Sequence, residues 1–185
     1  VGGQYNFVAM AHALPDARST LLLRAARGRG ASRASNIRWA YGHATIPRHL
    51  RDVYVTEYGI ADLRAKVDED CVLAMAAVAE APFQAGLLDD ARANRKLDAG
   101  FTAPAAWSRN TPERLRAALA PFRRDGTLPD YPLGSDFTPV EQRLVKALGW
   151  LQAHTDGRLA TLRTLLAALA GGSAPDHEAL QRMQL

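Results

Sequence analysis

Apolar side chains come in short runs through the first third of the chain and at helical spacing through the rest. "STLLLRAAR" (19–27) is a brief apolar run with no helix period, ending in the loop signal Gly28-Arg29-Gly30. "NIRWAYG" (36–42) sets Ile37, Trp39 and Tyr41 against Asn36, Arg38 and Ala40, the period of a strand with one better-buried face. "DVYVT" (52–56) predicts a third strand, and the segment after Gly59 reads as helix. Beyond Lys66 the pattern changes. "DEDCVLAMAAVAEA" has acids in its first turn and apolar residues at Val72, Met75, Ala76 and Ala79. That arrangement predicts a helix with its dipole complemented. "PFQAGLLDDARANRKL" starts on Pro82 and ends basic, which predicts another. Residues 98–110 read as a loop. Thr111-Pro112-Glu113 starts a helix that Gly126 should stop, and Thr138-Pro139-Val140-Glu141 is a capping box opening one that runs to about His154. Leu159, Leu162, Leu165, Leu166 and Leu169 mark one face of a further helix ended by Gly171-Gly172. A short last helix should begin near Asp176.

Strands joined to helices by glycine turns, with helices alone afterwards, predict an α/β fold. The expected architecture is an open sheet with flanking helices over 1–100 and a helical C-terminal extension over 101–185 packed on it. The composition is that of an ordinary globular domain: 185 residues, 48% hydrophobic and 23% charged. No apolar run is long enough for a membrane span, and the start lacks the basic region of a signal peptide. The chain begins with Val1 and opens directly onto a glycine motif, so it reads as a piece of a longer protein. The single Cys71 excludes an internal disulfide and suits a reducing cytoplasm.

A pI near 9.6 raises the question of nucleic acid. Residues 1–66 carry a net of +6, residues 67–100 a net of −4, and residues 101–185 a net of +2. Positive charge thus accompanies the glycine motifs, which suits a small phosphate-bearing ligand at least as well as a polynucleotide.

Three stretches could carry chemistry. Gly2-Gly3-Gln4-Tyr5-Asn6-Phe7 could bring backbone N–H groups up to an anion or a developing oxyanion, or form a tight turn with no ligand. Arg27-Gly28-Arg29-Gly30-Ala31-Ser32-Arg33 could hold phosphates or a carboxylate in bidentate fashion, or be a solvated basic loop. In "VYVTEYGIADLR" (53–64), Glu57 lies just past a strand, where open α/β sheets place ligands. It could be a nucleophile, a general base or an orienting group, or it could cap the turn around Gly59 or the helix after it. Asp62 and Arg64 read as a helix-surface pair. The five histidines lack ligand spacing, so no metal is expected, and Cys71 reads as a buried inert thiol.

Together, "GGQYNFVAMAHAL", "AARGRGASRASNI" and "TIPRHLRDVYVTEYGIADLRAK" strongly resemble the C-terminal domain of the acetyl-CoA hydrolase/transferase family, over roughly residues 1–100. The resemblance implies that a glutamate attacks the acyl-CoA thioester, giving an acyl-glutamyl anhydride. The CoA thiolate then returns to form a glutamyl-CoA thioester, which passes CoA to a carboxylate or is hydrolysed. In that family the nucleophile lies upstream of the G-G-Q motif. Glu57 would then be the second active-site glutamate, and Gly3 an oxyanion-hole donor. Gly2, Gln4, Asn6, Arg27, Gly28 and Gly59 would line the CoA and substrate site. Asn6 replaces the usual Asp, R-G-R-G replaces K-G-G, and Ala65 replaces the Gly of L-R-G-K.

The expected activity is movement of CoA between short-chain carboxylic acids, or to water, with CoA as substrate and no metal. The expected partners are acyl-CoA, a carboxylate, the missing N-terminal domain and a second copy in a homodimer, with no nucleic acid and no membrane. Two readings compete: a basic nucleic-acid-binding domain using the arginine-glycine loop, and a non-catalytic assembly domain.

Overall fold

The computed structural model describes residues 2–155, 157–170 and 176–184. It forms two compact units, Val1–Asp125 and Gly126–Leu185.

In the first unit, α1 (Gln4–Ala13) precedes β1 (Thr20–Leu22), β2 (Ala26–Arg27) and β3 (Ala34–Ser35). β4 (Val53–Thr56) and β5 (Gly59–Asp62) follow, then α2 (Asp68–Ala77), α3 (Ala81–Ala93) and α4 (Pro112–Arg124). β1 lies parallel to β4, with Thr20 opposite Val53, and β5 pairs antiparallel with β4, with Thr56 opposite Gly59. β2 and β3 form a separate antiparallel ladder. This is the expected α/β class with small open sheets.

Two expectations in this region fail. The segment after Gly59 is a strand, not a helix. Glu57-Tyr58 is the two-residue turn of a hairpin, and Ala61, opposite Tyr54, is buried against Val78 and Ala79. The Ala and Leu content of "GIADL" favours helix only weakly, and burial in register with β4 overrides it. The Thr56 hydroxyl accepts the Tyr58 N–H at 3.1 Å and donates to Val78 O at 2.8 Å, which pins the turn onto the end of α2. Residues 36–42 form no strand. The Ser35 hydroxyl accepts the Ile37 N–H at 3.1 Å and donates to Ile37 O at 2.7 Å, so a local bond replaces the ladder. Ile37 is buried while Tyr41 is exposed.

α1 stands where the sequence offered only a glycine motif or a tight turn at residues 2–7. It buries only Val8 and leaves Phe7 and Met10 in solvent, so it lacks the amphipathic stripe that marks a helix in sequence. Its C-terminal end is tied down through His12. Its Nε2 lies 3.2 Å from Leu50 O and 3.4 Å from the buried Asp52, which itself accepts the Ser19 N–H at 3.0 Å.

α2 and α3 pack through Ala76, Leu88 and Ala91, joined by Leu97 beyond α3, with Phe101 and Trp107 against them. Residues 98–110 wrap this core by polar contacts. Asn110 Nδ2 donates to Ala77 O and Ala79 O, and the buried Gln84 amide donates to Ala79 O and Trp107 O. α3 ends in a left-handed turn. Arg95 sits at φ 57° while Lys96 N–H donates to Ala91 O at 2.9 Å and Arg95 N–H to Arg92 O at 3.0 Å. Glycine normally takes this position. Arg95→Gly should therefore stabilise the chain by about 0.5–1 kcal/mol, read as a Tm rise of about 2 °C. A fall in Tm would refute the termination geometry. Ala65, where the resemblance gives glycine, is also left-handed, at φ 53°.

The second unit contains α5 (Pro139–His154), α6 (Arg158–Ala170) and α7 (His177–Met183). The capping box forms as read: Thr138 Oγ1 accepts the Glu141 N–H at 3.3 Å, and Glu141 accepts the Thr138 N–H at 2.8 Å. That backbone bond, with Arg182, holds the Glu141 carboxyl down to about 2. Arg143 bridges to Asp176 and Glu178, joining α5 to α7. Asp176 caps α7, as the sequence indicated. The Gly171-Gly172 stop lies outside the described residues. Every buried side chain among the described residues falls between Val8 and Leu97, so the second unit has none. No helix among the described residues is long and apolar enough to cross a membrane.

Candidate active site

Because β1 and β4 run parallel, their C-terminal ends emerge at the same edge of the sheet, where such sheets hold ligands. A cleft of about 740 Å³ opens there. Leu22, Leu23 and Val55 supply an apolar side, Leu115 of α4 another, and Arg24, Arg27, Arg29, Arg33 and Glu57 the charges.

Glu57 follows β4 directly and its Oε2 accepts the N–H of Ala25 at 2.8 Å. It therefore caps neither the Gly59 turn nor a helix. It clamps the chain between β1 and β2, 32 residues away in sequence. The remaining oxygen is uncommitted to the backbone, and the side chain lines the cleft among guanidinium groups. The surplus of positive charge around it favours an anionic ligand.

The arginine-glycine loop is an ordered turn rather than a flexible tract. Gly28 has φ 78°, and a Cβ there would lie 2.3 Å from Ser32 O, so no other residue fits. Ser32 Oγ donates to Arg29 O at 2.8 Å and accepts the Arg29 N–H at 3.3 Å. Arg27 Nη1 donates to Asn36 Oδ1 at 2.8 Å, and Asn36 Nδ2 donates to Arg24 O at 2.8 Å. One asparagine thus ties the Arg27 guanidinium to the Arg24 backbone.

Arg33 is directed inward. Its Nε donates to Glu80 Oε1 at 2.6 Å and its Nη2 to Glu80 Oε2, a bidentate pair, while Nη1 reaches Gly28 O at 3.3 Å. Glu80 is only 2% exposed. Hydrogen bonding to Glu80 raises the Arg33 pKa above its ordinary value. The Tyr58 hydroxyl lies 3.5 Å from Glu80 Oε2. Burial, then the charges of Glu80 and Glu57, push it up to about 12, so it is a neutral donor. The pair pins the loop to the start of α3 and so positions Arg27 and Arg29. Sequence reading missed Glu80, which looked like an ordinary acid before the Pro82 helix start. The only signal was an acid flanked by alanines in an apolar stretch.

The structure thus brings Glu57, Arg27 and Gly28 into one cleft. Gly59 pairs with Thr56 just behind it and faces Val78. Gly2, Gly3, Gln4 and Asn6 are exposed at the start of α1 and do not line this cleft. Gly2 is left-handed at φ 58°, and Gly3 is the N-cap of α1 with no side-chain cap bond. Gly3 therefore gives the first N–H groups of the helix no side-chain acceptor. Among the described residues no three His, Cys, Asp or Glu side chains converge as a metal site would require.

Fold and cleft define an α/β domain with an arginine-walled cleft and a carboxylate at the C-terminal edge of its sheet. Residues 1–91 match the family model of the acetyl-CoA hydrolase/transferase C-terminal domain, and this part of the chain belongs to that family. The match ends within α3, so the helices beyond it fall outside the family domain. No curated protein and no solved structure gives a significant match.

Proposed function

We propose that the chain is the C-terminal part of an acyl-CoA hydrolase or CoA-transferase that moves CoA between short-chain carboxylic acids, or to water. The observation that carries this reading is the placement of Glu57 in a cleft walled by Arg24, Arg27 and Arg29. Carboxylates and CoA phosphates are the anions such a wall suits.

In this reading an upstream glutamate, contributed by an N-terminal domain, attacks the thioester carbonyl and the C–S bond breaks. The released thiolate attacks the new anhydride at the glutamyl carbonyl, freeing the acyl group as a carboxylate and leaving a glutamyl-CoA thioester. An acceptor carboxylate then attacks the glutamyl carbonyl, the C–S bond breaks, and the released thiolate attacks the resulting anhydride at the acceptor's carbonyl, giving the new acyl-CoA and the free glutamate. Attack by water on the thioester instead releases CoA thiol and the free glutamate. Gly3 offers its N–H from the uncapped start of α1 to the oxyanion of each tetrahedral step. Arg27 binds a phosphate or carboxylate, and Gly28 keeps its loop tight. Glu57 orients the nucleophile and the acceptor by charge and hydrogen bonding. Gly2, Gln4, Asn6 and Gly59 shape the walls once the N-terminal domain closes over them. That closure must bring the start of α1 to the Glu57 cleft, so the site is complete only in the assembled enzyme. Catalytic groups lie in 1–100, residues 101–185 form a helical extension, and the exposed leucines of α5 and α6 support a homodimer. The free Cys71 supports a cytoplasmic setting.

Titration with CoA and with single-stranded RNA at two salt concentrations separates this from the nucleic-acid reading. CoA should bind, Arg27→Ala should weaken it about tenfold, and RNA binding should be negligible. RNA binding that collapses with salt, with CoA inert, would establish the competing reading.

A further inference from the structure

A second and larger cleft, of about 880 Å³, shares no lining residue with the one at Glu57. Its floor is apolar, made by Leu63, Val72, Met75 and Leu87 where the sheet meets α2 and α3. Trp39, 36% exposed, stands at its wall. The rim holds six Lys or Arg side chains against two aspartates.

Half of those six cations have no ion pair among the described residues. Asp68 is already shared by Arg48 and by Lys96, the latter at 2.6 Å, and Arg64 is neutralised by Asp62. Asp52 points away, to Ser19 and His12. Arg51 spends its Nε on Ile46 O at 3.1 Å and keeps both Nη groups. Arg38 and Lys66 make no side-chain hydrogen bond or ion pair among the described residues and are exposed. Three cations with free donors therefore face one apolar cleft that has an aromatic wall.

A lone carboxylate would neutralise one of them. A polynucleotide needs cations spaced along an extended groove, whereas Arg38, Arg51 and Lys66 line one cleft of about 880 Å³. A ligand with a flat ring and two or more linked anionic groups satisfies the whole set, and the volume lies in the range of small-molecule sites. We propose that this cleft binds a nucleoside diphosphate, its base against Trp39 and its phosphates on Arg38, Arg51 and Lys66. Stacking on the indole tolerates any base, and the guanidinium groups hold phosphate oxygens in pairs. The inference is independent of the CoA reading of the Glu57 cleft.

The test is calorimetric titration of this chain with ADP, pyrophosphate, adenosine and CoA. ADP should bind with one-to-one stoichiometry and more tightly than pyrophosphate. Arg38→Glu/Lys66→Glu should weaken ADP at least about tenfold, and Trp39→Ala should bring ADP down to the pyrophosphate level. These side chains are exposed, so circular dichroism should show unchanged folding. Absence of ADP binding by the unmodified chain would overturn the proposal. So would binding untouched by the charge reversals, or binding lost instead in Arg27→Ala, which would place it in the Glu57 cleft. Equal affinity for ADP and pyrophosphate would overturn the nucleotide assignment. Displacement of ADP by CoA, abolished by the same reversals, would make the cleft part of the CoA site and not a separate one.

Discussion

Arg33→Met should be the most destabilising single substitution in the first unit, costing about 3–5 kcal/mol at neutral pH. Glu80 is 2% exposed, and Arg33 is its one cationic partner among the described residues. Removing the guanidinium leaves a carboxylate enclosed by protein with only the Tyr58 hydroxyl, at 3.5 Å, for company. The reverse change is milder. Glu80→Met leaves Arg33 unpaired, but a third of that side chain already reaches water, so the orphaned charge can hydrate and the cost falls to about 1–2 kcal/mol. The double variant Arg33→Met/Glu80→Met should recover most of the loss, since no buried charge remains. Urea unfolding of the four proteins gives the cycle, with constant slope as the check that the denatured states match. If Arg33→Met costs less than Glu80→Met, the carboxylate is not enclosed as described. Native domains have only about 5–15 kcal/mol in hand, so the single variant stands near the edge of folding. The double variant keeps the question answerable. It also separates stability from function: with the fold restored but the loop unpinned, Arg27 and Arg29 should lose their place and ligand affinity should stay low.

The same pair shows why part of the site was hidden in the sequence. Arg33 and Glu80 stand 47 residues apart, and nothing local to either marks its partner. By contrast, Thr138 and Glu141 cap each other three residues apart, and Thr111 accepts the Arg114 N–H at 3.3 Å. Those helix starts were legible because the chemistry that makes them is local. Where structure depends on pairing at a distance, local pattern misled. Ile37, Trp39 and Tyr41 alternate like a strand, yet the Ser35 hydroxyl bonds Ile37 locally and no partner strand lies alongside. "GIADL" carries helix formers, yet the hairpin register with β4 decides it. The arginine loop and Glu57 were found as separate signals, and the parallel pairing of β1 with β4 brings them together. The glycine pair at the start was read as a source of free N–H groups. That pair stands at the start of α1 and does not line the Glu57 cleft.

Two substitutions at Glu57 divide its possible roles. Glu57→Gln keeps an oxygen that can accept the Ala25 N–H, and removes the charge. The unfolding midpoint should stay within about 0.5 kcal/mol of the parent, while on the proposed CoA-transferase reading kcat/KM of the full-length protein falls at least about a hundredfold. Glu57→Ala removes the acceptor as well. Ala25 is fully buried, so its N–H is left without its partner, and stability should fall by about 1–3 kcal/mol on top of the same loss of rate. The contrast between the two is the informative quantity. A clamp that only holds the backbone predicts Gln near normal in both rate and stability, with Ala impaired in both. A carboxylate that orients the nucleophile and acceptor predicts equal loss of rate in both variants and loss of stability in Ala alone. CoA exchange among short carboxylic acids gives the rate, and urea unfolding gives the stability. Full turnover by Glu57→Gln would remove Glu57 from the chemistry and leave the arginine wall without a reacting partner from this chain.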